Sequence, residues 1–103
     1  MISIIRENLE EISRLCRRRG VQSLYVVGSA AREDFDLEAS DIDFLVEFAP
    51  RAEGKLADRY FLLRDELERL LGRKVELVQL ECVENPVVRA TMEHARAPVY
   101  VAA

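Results

Sequence analysis

Two hydrophobic periods run along the chain, one typical of helices and one typical of strands. Near the start, four apolar residues recur at helical spacing: Ile5, Leu9, Ile12 and Cys16. Charged residues occupy the rest of that helical wheel, which predicts an amphipathic helix. Ser3 is the predicted N-cap of this helix and Gly20 its predicted C-terminal stop.

Two strands are predicted in the middle of the chain. Residues 21–27 form a mostly apolar run around Tyr25, which is typical of a strand covered on both faces. In residues 41–48 every second position is apolar, which predicts a second strand with one buried face. Pro50 ends this strand, because proline cannot donate a hydrogen bond to a sheet ladder.

A longer helix is predicted for residues 54–71. Five residues form its apolar stripe: Leu56, Tyr60, Leu63, Leu67 and Leu70. Gly72 closes this helix, and residues 75–80 form a third strand. At this spacing we expect Tyr60 and Phe61 to be core residues, with contact to a partner or a base as the alternative.

The end of the chain predicts one further helix. Asn85 followed by Pro86 is typical of a cap and a first helical turn. Residues 99–101 form either an edge strand or a packed tail. The order of helix, strand, strand, helix, strand, helix predicts an α/β (α+β) fold, in which a small mixed β-sheet has helices packed mainly on one face.

Composition narrows the class of protein. The chain has 103 residues, of which 50% are hydrophobic and 33% are charged, so we expect one domain over residues 1–103. The net charge of −4 argues against a general nucleic-acid-binding surface, which is normally basic. Cys16 and Cys82 are too few for a disulfide framework, and no apolar run reaches membrane-spanning length. We therefore expect a cytoplasmic protein with no direct nucleic-acid binding and no membrane contact.

Candidate chemistry is concentrated between the first two strands. Asp41 and Asp43 are two residues apart at the start of a strand, so their side chains point to the same face. Two neighbouring carboxylates repel one another unless a cation lies between them. Gly28 and Ser29 lie where the first strand turns into a possible helical turn, whose free N–H groups suit a phosphate. A divalent metal beside a phosphate is typical of a nucleotide-handling site.

Other uses of an Asp-x-Asp pair fit its position poorly. A phosphatase with an aspartyl nucleophile has its acids at the end of an apolar strand, whereas here they precede the apolar residues. A calcium loop of the EF-hand type needs more oxygen ligands and a central glycine, but Ile42, Phe44 and Leu45 fill that stretch. Each motif taken alone also has a structural alternative, a plain turn at Gly28 or a cap with ion pairing at Asp41.

Together these motifs resemble a known family. Gly28-Ser29, Arg32 and the run 40–43 (Ser-Asp-Ile-Asp) are similar to the signature of the nucleotidyltransferase superfamily that includes DNA polymerase beta. Residues 72–78 form a second similar block, and the similarity runs from about residue 21 to residue 100. In a chain this short the resemblance is to the minimal nucleotidyltransferase (MNT) domain, the antitoxin half of HEPN–MNT toxin–antitoxin modules.

The resemblance implies a set of site residues. Asp41, Asp43 and Glu76 would be the catalytic acids and the ligands of Mg²⁺, with two ions expected. Glu76 would also act as general base on the attacking hydroxyl, and Glu81 is the alternative third acid. The resemblance likewise implies that Gly28, Ser29 and Arg32 bind the nucleotide, which is expected to be ATP.

The implied function is protein modification. The chain would transfer AMP from Mg-ATP to a hydroxyl of a cognate HEPN-type ribonuclease toxin, expected to be a tyrosine hydroxyl. A homodimer or a hetero-oligomer with the toxin is possible. Three positions depart from the family pattern: Ala30 replaces arginine, Glu33 replaces glycine and Glu76 replaces aspartate. These departures leave open an alternative, an inactive antitoxin that acts only by binding its toxin.

Overall fold

The elements follow the order that the sequence predicts, except that the first helix is divided in two. The computed structural model describes residues 2–28, 41–50, 54–79, 82–94 and 96–102. Within these ranges the elements are α1 (Ser3–Glu7), α2 (Leu9–Arg18), β1 (Val21–Val27), β2 (Ile42–Phe48), α3 (Leu56–Leu71), β3 (Val75–Gln79), α4 (Pro86–His94) and β4 (Ala97–Val101). In this part of the chain no helix is long and apolar enough to cross a membrane.

The strands form one mixed sheet in the order β3-β2-β1-β4. β2 and β3 run parallel, whereas β1 is antiparallel to both β2 and β4. This arrangement confirms the predicted mixed sheet. It also decides between the two interpretations of residues 99–101, which belong to the edge strand β4.

The core lies between the sheet and the helices α1, α2 and α3. Its largest fully buried side chains come from both layers: Phe44, Ile5, Ile12, Leu24, Ile42, Leu63, Leu67, Val26, Val46 and Cys16. Alternate residues of β2 contribute to this core because alternate side chains of a strand share a face. Burial of each large apolar side chain stabilises the fold by about 1.5–3 kcal/mol. The same alternation leaves Asp43 and Glu47 on the opposite face of the sheet.

The start of the chain departs from prediction in two ways. One continuous helix was expected, but Asn8 separates α1 from α2 with φ −112° and ψ 14°. Its side-chain amide donates to the carbonyl of Ile4 at 2.7 Å, a local bond that competes with helix continuation. Ser3 is the first helical residue, and the N-cap is Ile2. Gly20 has φ +68° just after the C-cap of α2, which confirms the predicted stop.

The buried stripe of helix α3 agrees with the predicted one only in part, at Leu63 and Leu67. Its buried residues are Arg59, Leu63, Leu67 and Leu71, whereas Leu56 is 48% exposed and Phe61 is 52% exposed. The prediction that Phe61 is a core residue is therefore wrong. Tyr60 is half-buried, and Gly72 ends the helix in the left-handed conformation as expected, with φ +65°. The predicted cap of α4 is also confirmed, since the Asn85 side-chain oxygen accepts from the Val87 N–H at 2.9 Å.

The contacts of Arg59 account for the difference between the predicted and the observed buried stripe of α3. Its guanidinium donates to three backbone carbonyls, those of Arg19 at 2.9 Å, Gly20 at 2.6 Å and Ala49 at 3.0 Å. The same group lies over the ring of Phe48, with 5.0 Å to the ring centroid. These contacts join the first turn of α3 to the start of β1 and the end of β2.

Candidate active site

Two acids lie opposite each other on neighbouring parallel strands. Asp43 of β2 is the register partner of Glu76 of β3, and register partners place their side chains on the same face of a sheet. The residues before and after each acid are buried on the helix side. Asp43 and Glu76 therefore lie together on the face opposite the helical layer.

Asp41, the residue just before β2, lies near this pair. It is two residues from Asp43, so it is directed to the same side of the sheet. Its side chain is exposed, and its charge raises the pKa of Asp43. The structure thus brings together the three acids that the sequence singles out, with Asp43 at their centre.

The electrostatics of the site depend on Asp43. Burial, followed by the charge of Glu76, a hydrogen bond to the Glu76 side chain and the charge of Asp41, raises the pKa of Asp43 from 3.8 to about 6. Two carboxyl groups form a hydrogen bond only when they share a proton. Loss of the shared proton leaves neighbouring carboxylates that repel one another, and a cation between them would relieve this repulsion.

The backbone at the end of β1 lies beside this cluster. Val27 is the register partner of Asp43, and Gly28 follows it with φ +68°. A Cβ atom at position 28 would lie 3.7 Å from Oδ2 of Asp43, so the glycine backbone closely approaches the carboxyl group. Ser29, Arg32 and Glu81, together with Ala30 and Glu33, lie outside the described residues.

The donor chemistry of the three acids suits a divalent cation. Mg²⁺ prefers oxygen ligands and is usually held by one or two carboxylates, waters and substrate phosphates. Asp43 and Glu76 supply two carboxyl groups in direct contact, and Asp41 supplies a third nearby. Within the described ranges no three acidic, histidine or cysteine side chains are already arranged to hold a metal ion. In ligand type and charge the three acids nevertheless suit Mg²⁺, which would take waters and phosphate oxygens as its remaining ligands.

Two further side chains near the site were not indicated by the sequence pattern. Glu68 and Tyr60 of α3 form hydrogen bonds with the backbone of β3 at Val75 and Leu77, the neighbours of Glu76. For Tyr60, helical spacing predicts a core position, with contact to a partner or a base as the alternative. No sequence signal predicted that a helix side chain would bond to this strand.

Comparison with known proteins identifies the family. Residues 7–98 match the nucleotidyltransferase domain family. The chain belongs to this family. Two Methanocaldococcus jannaschii proteins, both provisionally named protein adenylyltransferases, are similar to this nucleotidyltransferase over most of its length. One is 36% identical over 93 residues and the other 33% over 93 residues, and each match covers 89% of this chain and 91% of the relative.

Solved structures share the fold of this nucleotidyltransferase. A structure described provisionally as a minimal nucleotidyltransferase has a TM-score of 0.75 at 33% identity, with 90% of both chains covered. A toxin–antitoxin structure with AMP-PNP has a TM-score of 0.69 at 23% identity, covering 92% of this chain and 74% of that one. A tri-AMPylated Shewanella oneidensis HEPN toxin in complex with MNT antitoxin gives 0.64 at 21%, covering 95% and 73%. At these lower identities the likeness is one of fold.

Proposed function

We propose that this nucleotidyltransferase is an antitoxin that transfers AMP from Mg-ATP to a tyrosine hydroxyl of a HEPN-type ribonuclease toxin. The observation that carries the proposal is the contact between Asp43 and Glu76 on neighbouring strands beside the Gly28 backbone. The names of the relatives support adenylyl transfer to protein. The structural neighbours with AMP-PNP and with an AMPylated HEPN toxin support the nucleotide and the acceptor.

In the proposed reaction the acceptor hydroxyl oxygen attacks the α-phosphorus of ATP. A new oxygen–phosphorus bond forms, the bond between the α-phosphorus and the bridging oxygen breaks, and pyrophosphate leaves. The Glu76 carboxylate accepts the hydroxyl proton. Asp41, Asp43 and Glu76 would hold Mg²⁺, and a bound ion would stabilise the negative charge on the phosphate oxygens.

The nucleotide is proposed to lie across the end of β1. Gly28 lets the triphosphate approach the backbone closely, because no Cβ atom separates the backbone from the Asp43 carboxyl group. We assign Ser29 and Arg32 to the phosphates as well, through the Ser29 N–H and hydroxyl and the Arg32 guanidinium. This assignment places the α-phosphorus between the β1 backbone and the three acids.

A protein acceptor is consistent with the surface of α3. Three large apolar side chains of this helix are exposed: Leu56 at 48%, Phe61 at 52% and Leu62 at 44%. Exposed aromatic and aliphatic side chains are compatible with a protein–protein contact, in which aromatic residues are enriched. Both cysteines are free, which suits a reducing compartment, and we propose the cytoplasm as the location.

The experiment is transfer of label to the toxin. The purified chain is incubated with ATP labelled at the α-phosphate, Mg²⁺ and the HEPN protein encoded beside it. We expect label on the toxin, a mass gain equal to AMP, and loss of its ribonuclease activity. Peptide mapping identifies the modified residue, and a tyrosine is expected.

Two substitutions separate catalysis from binding. Asp43→Asn should abolish labelling, because it removes a carboxylate from the centre of the site. Asp65→Asn is the matched control, since Asp65 is an exposed acid on α3 that pairs with Arg64 at 3.8 Å. If the Asp43→Asn variant still neutralises the toxin but transfers no label to it, the chain is an antitoxin that acts only by binding. Absence of label from the parent chain in the presence of its toxin would also contradict the proposal.

A further inference from the structure

Among the strands that the structure describes, β3 has a sheet neighbour, β2, on one side only. The Ile42 N–H donates to the Lys74 carbonyl at 3.0 Å, which begins the ladder between β2 and β3. In a parallel pair the residues that bond to a given neighbour alternate along the strand. The backbone groups of Glu76 therefore face β2, and those of Val75 and Leu77 face the open edge of the sheet.

Side chains of α3 occupy this open edge. Oε2 of Glu68 accepts a hydrogen bond from the Val75 N–H at 3.0 Å, and the Tyr60 hydroxyl donates to the Leu77 carbonyl at 2.6 Å. Both side chains are half-buried. Tyr60 and Glu68 share one side of α3 because two i, i+4 steps separate them. The two bonds thus attach β3 to the helix immediately before and immediately after Glu76.

The attachment matters because Glu76 is the one proposed site residue on β3. An edge strand held only by its ladder to β2 can twist about its own axis, and such a twist would turn the Glu76 carboxyl away from Asp43. A displacement of about 1 Å in a reacting group can lower a rate by about 100-fold. Bonds on the outer edge oppose this twist, since they fix the strand from the side that β2 does not reach.

We propose that Tyr60 and Glu68 are positioning residues that keep Glu76 directed at Asp43, and thereby set the affinity of the site for a divalent cation. This inference depends on the proposed function, because it takes Asp41, Asp43 and Glu76 as the ligands. Neither positioning residue contacts the nucleotide or the metal in this scheme. Their effect passes through the backbone of β3.

The test is Mn²⁺ binding to the purified chain, measured by electron paramagnetic resonance or calorimetry. Tyr60→Phe removes the hydroxyl and keeps the ring, and Glu68→Met removes the acceptor and keeps the length of the side chain. We expect each to raise the Kd for Mn²⁺ about 3- to 10-fold, less than the 10- to 100-fold typical of groups bonded directly to a metal ligand. In the transfer assay kcat should fall while the KM for ATP stays near that of the parent.

Two variants serve as controls. Glu68→Gln keeps a side-chain oxygen that accepts from the Val75 N–H, so, unlike Glu68→Met, it should bind Mn²⁺ with the parental Kd. Glu66→Met makes the same chemical change on the same helix, but Glu66 pairs with Arg18 at 3.0 Å and Arg19 at 2.6 Å, towards α2. It should lower the melting temperature and leave the Kd for Mn²⁺ unchanged.

Three results would count against the inference, and they differ from one another. If Tyr60→Phe and Glu68→Met both bind Mn²⁺ with the parental Kd, the positioning role of Tyr60 and Glu68 is wrong. If Asp43→Asn loses Mn²⁺ binding in the same experiment, the proposed function still holds. A Kd raised equally by Glu66→Met would mean that general loss of stability is the cause. Unchanged Mn²⁺ binding in Asp43→Asn would overturn the metal site itself, and the inference with it.

Discussion

Asp43 and Glu76 are both acids, yet they are register partners on the parallel strands β2 and β3, and hydrogen bonding between their carboxyl groups is one cause of the raised pKa of Asp43. Such a bond requires a proton, and repulsion replaces it when both groups ionise. In the absence of a cation the folded protein therefore becomes less stable as the shared proton is lost. Protons and divalent cations compete for this site, because either one removes the same repulsion.

The first prediction concerns the pH dependence of stability without metal. The folded-state pKa of Asp43 is about 6 and its ordinary value is 3.8, so between these values the folded protein binds more protons than the unfolded chain. Its free energy of unfolding should thus fall as the pH rises from 4 to 7. Because the carboxyl is partly exposed, we expect a loss of about 1 kcal/mol rather than the full equivalent of the pKa shift. Urea unfolding in the presence of EDTA at several pH values measures this dependence of the free energy of unfolding on pH.

Asp43→Asn tests the cause of that slope. The amide cannot ionise, so the contribution of Asp43 to the slope should disappear. The variant should then be more stable than the parent at pH 8 by about 1 kcal/mol, or about 4–8 °C in Tm. The Asp65→Asn control should follow the parent profile. A variant profile as steep as that of the parent would show that other groups cause the loss.

The second prediction compares two glycines to separate the cost of backbone strain from the loss of nucleotide binding. Gly28 and Gly72 have nearly the same φ, +68° and +65°, so alanine at either position should cost about 1–2 kcal/mol of stability. The new Cβ would make ordinary contact with Asp43 at position 28 and meet nothing within 4 Å at position 72. Thermal melts should show similar losses, whereas the transfer assay should show a larger loss for Gly28→Ala. Equal loss of transfer in both variants would contradict a nucleotide-binding role for Gly28.

The third prediction concerns the buried guanidinium of Arg59. Arg59→Met leaves the Arg19 and Ala49 carbonyls without this donor, whereas the Gly20 carbonyl still accepts from the Ala49 N–H at 2.8 Å. We expect a loss of about 2–4 kcal/mol in urea unfolding, since bonds to charged donors are among the stronger ones. Arg64→Met is the control, because Arg64 also lies over a ring, that of Phe61 at 5.1 Å, at a more exposed position. Its cost should stay within about 0.5 kcal/mol. Equal costs would mean that the three carbonyl bonds add little.

The fourth prediction distinguishes the two thiols. Cys16 is fully buried, and burial raises its pKa to about 12, whereas Cys82 is exposed. Because the thiolate is the reactive form, a thiol reagent at pH 8 should modify one group per folded chain. Cys82→Ser should abolish this fast reaction, and Cys16→Ser should preserve it. Rapid modification of both thiols in the folded parent would contradict the buried position of Cys16.

Elements whose signals come from residues close together in the chain were predicted correctly. The apolar run of β1, the left-handed end of α3 at Gly72 and the Asn85 cap of α4 depend on nearest neighbours along the chain, and all three were predicted correctly. The break at Asn8 was missed, because the apolar spacing continues across it without interruption. The buried stripe of α3 was only partly right, since a helical wheel contains both the predicted line through Leu56 and the observed line through Arg59.

For the candidate site, local alternation of the backbone is enough to predict that Asp41 and Asp43 share a face and that Glu76 lies on a strand. The folded structure was needed to show that Asp43 and Glu76 are register partners, that Gly28 lies beside them, and that Tyr60 and Glu68 bond to β3. These relationships join residues far apart in the chain. Their energies come from strand pairing and side-chain packing, which no local pattern of apolar and polar residues records.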